Sequence, residues 1–384
     1  MPRKICVVVT ARPSYSRIRS ALHAIRAHPD LELQLIVAAS ALLERYGSAC
    51  DVIERDGFKI DRRVYMVMEG ENLITSAKSV GFGLAEMATV FDDLRPDIVI
   101  TIADRFETMA TAVASSYMHI PLAHVQGGEI TGSIDEKVRH AVTKLADYHL
   151  VASDQAAVRV VRMGEVEERV FVTGCPSIDL TLEFDREPVG FEELFETHGG
   201  VGARLDLAEP YIVVMQHPVT TEYARARQDV EETLEAILEC GIPALWFWPN
   251  VDAGSDGTSR GIRAFRERHD LPHVHFFKNL PPETFLRVLD GSCGIVGNSS
   301  VAIRECEALG IPAVNIGNRQ AGRDRGANVV DIDYDRAAIV AAVRRLVPRR
   351  RVPSQGIYGD GKAGPRIADV LARVPLSTEK RLAY

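Results

Sequence analysis

Two doubly wound α/β domains are predicted from three observations. Short β-branched runs alternate with helix-length amphipathic stretches, a pattern that implies parallel βαβ units with helices on both faces of a sheet. The alternation breaks once, near the middle, in a charged stretch containing Gly199-Gly200. A length of 384 residues also fits two domains of roughly 150 residues each, with segments to spare.

In the first half, strands are expected at 5–10, 33–39, 97–103, 122–126, 148–153 and 170–174, with helical patterns such as 16–27 and 135–147 between them. The second half repeats the grammar at 211–216, 244–248, 275–278, 294–297 and 313–316, without any repeat of the sequence itself. The expected organisation is a first domain over 1–180, a linker and mobile excursion over 181–209, and a second domain over 210–364. A terminal segment, 365–384, carries one more amphipathic helix pattern and is expected to cross back onto the first domain. Ligand sites of doubly wound domains lie at the carboxyl ends of strands, here expected to face an interdomain cleft.

Composition narrows the function. Lys and Arg number 45 against 53 Asp and Glu, a formal charge of −8 that argues against a chain built to hold nucleic acid. No apolar run approaches the ~20 residues that span a bilayer, and the N-terminus runs into a strand pattern without a signal-peptide core. The expected setting is therefore cytoplasmic, with no membrane partner. Six scattered cysteines without a CxxC pair suggest reduced thiols and no zinc or other metal site.

The polar motifs all follow expected strands. After the first comes Thr10-Ala11-Arg12-Pro13-Ser14-Tyr15. A dinucleotide site would want GxGxxG there, so no such cofactor is expected, whereas Arg12 at a helix start suits an anion. The strand at 97–103 ends in Asp104-Arg105-Phe106-Glu107, where Asp104 is either a base or, with Glu107 three residues on, a helix cap. The densest segment runs from His124 through Gln126-Gly127-Gly128-Glu129 and Asp135 to Arg139 and His140. Its paired glycines let backbone approach a ligand. Asp135 and Arg139 share a helix face, as a surface ion pair or as an acid and a cation presented together. In the second half His217 follows a strand, Asn250 and Asp252 lie in a polar loop, and Gly297-Asn298-Ser299-Ser300 precedes a helix expected from about 301 with Glu305 one turn inside. Serine hydroxyls and free N–H groups at such a start either cradle a phosphate or merely cap the helix. Gly317 to Arg323 adds further donors.

Taken together, 11–16, 104–107, 124–140, 217–221, 248–255 and 297–305 resemble the UDP-N-acetylglucosamine 2-epimerase family, most closely the hydrolysing branch that feeds sialic and legionaminic acid synthesis. The resemblance runs from Arg12 to Gly361 in family order. It implies two Rossmann-like domains in the GT-B arrangement, a homodimer or homotetramer, and UDP held mainly by the second domain. It places Arg12, Arg105, Arg139, His217, Asn250, Asp252, Ser299, Ser300 and Glu305 on the UDP-sugar, with Glu305 on the ribose and Phe285 beside the uracil. Asp104 and Asp135 align with carboxylates used in proton transfer, and His217 also counts among the catalytic groups. Two departures stand out: Ala103 where relatives commonly carry glycine, and Gln126 where many carry glutamate. An amide exchanges no proton at neutral pH, so that role falls to Glu129 or is vacant.

The implied reaction takes a UDP-sugar and water, releases UDP from C1 as C2 is deprotonated, and adds water to the resulting 2-acetamidoglycal. The product would be free N-acetylmannosamine, or the analogue from a 2,4-diacetamido sugar, with no redox cofactor. A UDP-sugar-dependent glycosyltransferase, a UDP-sugar sensor and a non-hydrolysing epimerase are the alternatives.

Overall fold

The computed structural model describes the chain except residues 45–48, 70–72, 131–133, 220–221, 250–254, 349 and 384. It divides into two compact units, one comprising Met1–Ile130, Ile134–Leu180 and Tyr358–Tyr384, the other Thr181–Ile357.

The first unit is built on a seven-stranded parallel sheet. Its strands are β1 (Arg3–Val9), β2 (Leu31–Ala38), β3 (Arg62–Val64), β4 (Ile98–Ile102), β5 (Leu122–Val125), β6 (Tyr148–Val151) and β7 (Val170–Val172). They lie in the order 3-2-1-4-5-6-7. Continuous apolar runs such as Ile5-Cys6-Val7-Val8-Val9 are buried throughout, because helices cover both faces of a parallel sheet. Register sets Ile5 opposite Leu33 on β2 and Ile98 on β4. The chain therefore reverses its direction of travel between β1 and β4, the switch point at which ligands bind in this topology.

The terminal helix, Ala363–Arg373, belongs to this unit. Ile367, Ala368 and Leu371 join the core beneath helix Arg19–Ala27. Gly364 is where the two backbones meet, since a Cβ there would lie 2.6 Å from Ser20 main-chain atoms. Asp179 fixes the helix start by accepting from the Ala363 and Gly364 amides at 2.9 and 2.7 Å. Beyond the helix, Lys380 reaches the buried Glu165 at 2.5 Å. Burial alone would raise the Glu165 pKa, but hydrogen bonds from His149, Lys144 and Lys380 outweigh it and hold the carboxyl at about 2.

The second unit repeats the topology. Its strands are β8 (Val201–Gly202), β9 (Ile212–Met215), β10 (Ala244–Phe247), β11 (Val274–Phe277), β12 (Gly294–Gly297), β13 (Ala313–Ile316) and β14 (Val329–Ile332), in the order 14-13-12-9-10-11-8. All are parallel except β8, which runs antiparallel on the β11 edge. Here the switch point lies between β9 and β12.

Every strand expected from the sequence is present; β3, β8 and β14 are additions at sheet edges. They are short or largely solvent-facing, so no long buried apolar run marks them in the sequence. The stretch 181–209 is not the free excursion expected. Phe184, Val189, Leu194, Phe195 and Leu205 sit in the second unit's core, around a π-helical segment, Glu192–Thr197. Its charged residues, such as Glu192 and Glu196, mask an apolar set whose spacing is neither that of an α-helix nor of a strand. The return to the first unit also begins earlier than residue 365, at Tyr358, whose carbonyl accepts from Cys175 N at 2.7 Å.

Candidate active site

In the first unit, β4 and β5 both end in non-glycine residues with left-handed backbone, Ala103 at φ +62° and Gln126 at φ +66°. Each conformation costs on the order of 1 kcal/mol, and such strain gathers where side chains must be aimed. Asp104 follows Ala103 directly. Its carboxylate pairs with the Arg139 guanidinium, which is only 1% exposed and also donates to the Glu129 carbonyl at 2.8 Å. Asp104 is not the helix cap: helix Thr108–Tyr117 starts after Glu107, whose side chain caps nothing. Instead the buried Glu107 carboxylate accepts from Arg105 Nε at 3.3 Å. The arrangement sets a carboxylate, held by a buried cation, at the switch point.

The β5 loop is equally constrained. Gln126 is buried and donates from Nε2 to Cys175 Sγ at 3.0 Å. Gly128, at φ +75°, passes so close to the neighbouring helix that a Cβ would lie 2.4 Å from Ala156 O. Glu129 beyond it is buried. Asp135 lies half-buried in the first turn of helix Ile134–Leu145, which also carries Arg139; acids are favoured at that end by the helix dipole. Arg12 is the first residue of the short helix Arg12–Ser16 after β1, with Pro13 in its first turn.

In the second unit, the ends of β9 and β12 are stapled together by Asn298. Its Oδ1 accepts from His217 N and its Nδ2 donates to His217 O, both at 2.8 Å. The Asn298 carbonyl in turn accepts from Gln320 Nε2 at 2.8 Å and Arg319 Nη1 at 3.2 Å, while Tyr334 OH accepts from Gln216 Nε2 at 2.9 Å. Gly297 precedes this staple at φ +130°, and a Cβ on it would come 2.1 Å from Met215 O. Only glycine allows the strands to close so tightly there. Ser299 Oγ accepts from Val301 N at 3.4 Å and caps a single 3-10 turn, Ser300–Ala302. The expected helix from 301 is thus corrected. The α-helix begins only at Glu305, which is its first residue rather than one turn inside. Phe285 rests edge-on against Phe247, ring centroids 5.2 Å apart.

A family model described as UDP-N-acetylglucosamine 2-epimerase matches residues 23–372. The chain belongs to the UDP-N-acetylglucosamine 2-epimerase family. A Legionella pneumophila protein named UDP-N,N′-diacetylbacillosamine 2-epimerase (hydrolyzing) is 31% identical over 379 residues, covering 99% of this chain and 98% of that one. The UDP-N-acetylglucosamine 2-epimerase of Neisseria meningitidis is 29% identical over 94% of this chain and 92% of its own. A crystal structure of UDP-GlcNAc 2-epimerase from Neisseria meningitidis, bound to UDP-GlcNAc, matches with a TM-score of 0.81 at 16% identity, covering 97% and 100% of the two chains. The fold is accordingly the GT-B class that the resemblance implied.

Against the family pattern, the structure gathers Asp104, Arg139 and Glu129 in the first unit and His217, Ser299 and the start of helix 305–309 in the second. Asn250 and Asp252 lie outside the described residues. Arg139, expected on the UDP-sugar, is buried and pairs with the Asp104 carboxylate. Asn298 and Tyr334, which bond across the ends of β9 and β12, were not among the expected site residues. Asn298 stands inside a motif singled out from the sequence, but nothing in one strand end reveals the other strand it staples.

Burial pushes the His217 and His124 imidazoles down from the ordinary 6.5 to about 3. Both are neutral at physiological pH, so His217 presents a hydrogen-bonding group rather than a cation. In the unfolded chain each takes a proton as pH drops below about 6.5, while in the fold each resists until about 3. The stability they support is therefore intact above that upper value and lost as pH falls through the window. Each histidine should cost about 1.4 kcal/mol per pH unit there. Urea unfolding followed at pH 7.5 and 5.0 should show both units losing about 2 kcal/mol; equal midpoints would contradict it.

Proposed function

We propose that this protein is a hydrolysing UDP-sugar 2-epimerase, taking UDP-N-acetylglucosamine or its 2,4-diacetamido relative and water to the free 2-epimeric sugar and UDP. The observation that carries the proposal is the buried Asp104–Arg139 pair at the β4 switch point, aimed by the left-handed residue before it. The C2 hydrogen of an N-acetylhexosamine is too weakly acidic for simple deprotonation, so bond cleavage at C1 must accompany it. Asp104 takes the C2 proton as the C1–O bond breaks, and UDP leaves with the glycosidic oxygen. A protonated Asp135 then delivers its proton to C2 of the 2-acetamidoglycal on the opposite face as water adds to C1; the proton the water gives up returns to Asp135, and Asp104 releases the C2 proton to solvent.

Charge that builds on the diphosphate is met by Arg12 and by neutral donors of the second unit, His217, Ser299 and Ser300. Phe285 packs by the uracil and Glu305 accepts from the ribose hydroxyls. Gln126, tied to Cys175, transfers no proton; Glu129 is the remaining acid of that loop. The hydrolysing outcome is supported by the Legionella relative, which is matched over nearly its whole length, and the same match favours trying the diacetamido sugar beside UDP-N-acetylglucosamine.

Proton NMR of each UDP-sugar with the enzyme tests this. Free 2-epimer with an equivalent of UDP is the expected product. A UDP-linked 2-epimer would overturn the hydrolytic step, and transfer of the sugar only to an added acceptor would replace the epimerase with a transferase.

A further inference from the structure

We propose that His124 is a positioning residue, clamping the turn from which Asp104 is aimed. His124 is wholly buried within β5, where an imidazole is costly unless both nitrogens find partners. Both do. Nε2 lies 2.8 Å from Ala103 O and Nδ1 lies 3.1 Å from Thr143 Oγ1. A carbonyl can only accept, so Nε2 carries the hydrogen; the neutral ring then leaves Nδ1 to accept from the Thr143 hydroxyl. The Ala103 carbonyl selects this tautomer, and the Thr143 hydroxyl, able to donate or accept, complements it.

Ala103 is thereby held twice by consecutive residues of β5. Its N–H donates to Val125 O at 2.9 Å, and its carbonyl accepts from the His124 ring. A left-handed alanine is a strained state that persists only when its surroundings over-determine it, and these two bonds do so. Helix Ile134–Leu145 completes the device. Arg139 and Thr143 are four residues apart, on one face; the first grips the Asp104 carboxylate and the second orients the ring that holds the preceding peptide. Gly127 supplies the room, since a Cβ there would stand 2.9 Å from His124 Nδ1 and 3.0 Å from Thr143 Oγ1. Backbone and carboxylate of the base are thus fixed from one helix face through one buried imidazole.

The inference rests on Asp104 being the proton-transfer carboxylate proposed above, and the test separates the two. Thr143→Val, His124→Leu and His124→Gln would be made in the full chain and again beside Asp104→Asn, with kcat, KM and calorimetric UDP affinity measured for each. Misplacement by under an ångström should lower kcat about 10-fold in Thr143→Val and about 100-fold in His124→Leu, with KM and UDP affinity within about threefold of the parent. His124→Gln keeps an N–H for the Ala103 carbonyl and should recover most of the turnover. Beside Asp104→Asn none of the three should cause a further loss, because the group they aim is gone. Should His124→Leu fail to fold, the buried but nearly isosteric Thr143→Val still decides. Parent-like kcat in Thr143→Val and His124→Leu, or losses that multiply with that of Asp104→Asn, would overturn the clamp alone. Parent-like turnover by Asp104→Asn would remove the base, and the clamp with it.

Discussion

Asp104→Asn should lower turnover about 10³-fold or more, the scale of losing a positioned general base, while UDP affinity stays within about twofold. The substitution preserves shape and keeps an acceptor toward Arg139, but an amide takes no proton from C2. UDP affinity is spared because its proposed ligands, apart from Arg12, lie in the second unit, built on a separate sheet. A secondary cost follows from burial. With Asp104 neutral, the Arg139 guanidinium, 1% exposed, loses the charge of one of its partners, so stability should fall by about 2–4 kcal/mol. Steady-state kinetics, UDP calorimetry and thermal unfolding read the three effects separately. Near-parent turnover would remove Asp104 from the mechanism, and a parallel loss of UDP binding would make it a ligand rather than a base.

Asn298→Ala should act on the other unit and on binding. Asn298 is fully buried and makes both side-chain bonds that join the end of β12 to His217 after β9. Alanine would strip partners from a backbone N–H and a carbonyl that water does not readily reach, at about 1–3 kcal/mol each. The loss of stability should therefore be about 3–5 kcal/mol. The strand ends would also part where His217, Ser299 and Ser300 are proposed to meet the diphosphate, so UDP should bind at least about 30-fold more weakly, an expectation of roughly 2 kcal/mol. Asn298→Asp separates packing from hydrogen bonding, since it keeps the acceptor for His217 N but turns a second oxygen toward His217 O. Unchanged UDP affinity in a folded Asn298→Ala variant would show that the staple does not shape the ligand site.

The strand ends that carry the polar motifs were legible because each strand is a largely apolar run followed within two or three residues by polar side chains: Val9 by Thr10 and Arg12, Ile102 by Asp104, Met215 by His217, Gly297 by Ser299. That transition is a one-dimensional signal. What the sequence conceals is what one strand end does to another. His124 looks like one polar residue in the apolar run Leu122–Val125, and only the parallel register of β4 and β5 brings its ring to Ala103. Arg139 reads as a helix-surface cation paired in sequence with Asp135, yet folding turns it inward to Asp104. The segment 181–209 misled for the converse reason: its core side chains are spaced by a π-helix and loops, so no period of 3.6 or 2 exposes them.

In the proposed mechanism C2–H and C1–O cleavage belong to one reaction, and isotopic labelling resolves whether they do. Turnover in water enriched in both deuterium and ¹⁸O, with mass analysis of both products, should give free 2-epimeric sugar carrying deuterium at C2 and ¹⁸O at C1, and UDP without ¹⁸O in its phosphates. Label in the terminal phosphate of UDP, or a free sugar that keeps its C2 hydrogen, would contradict elimination through the glycal.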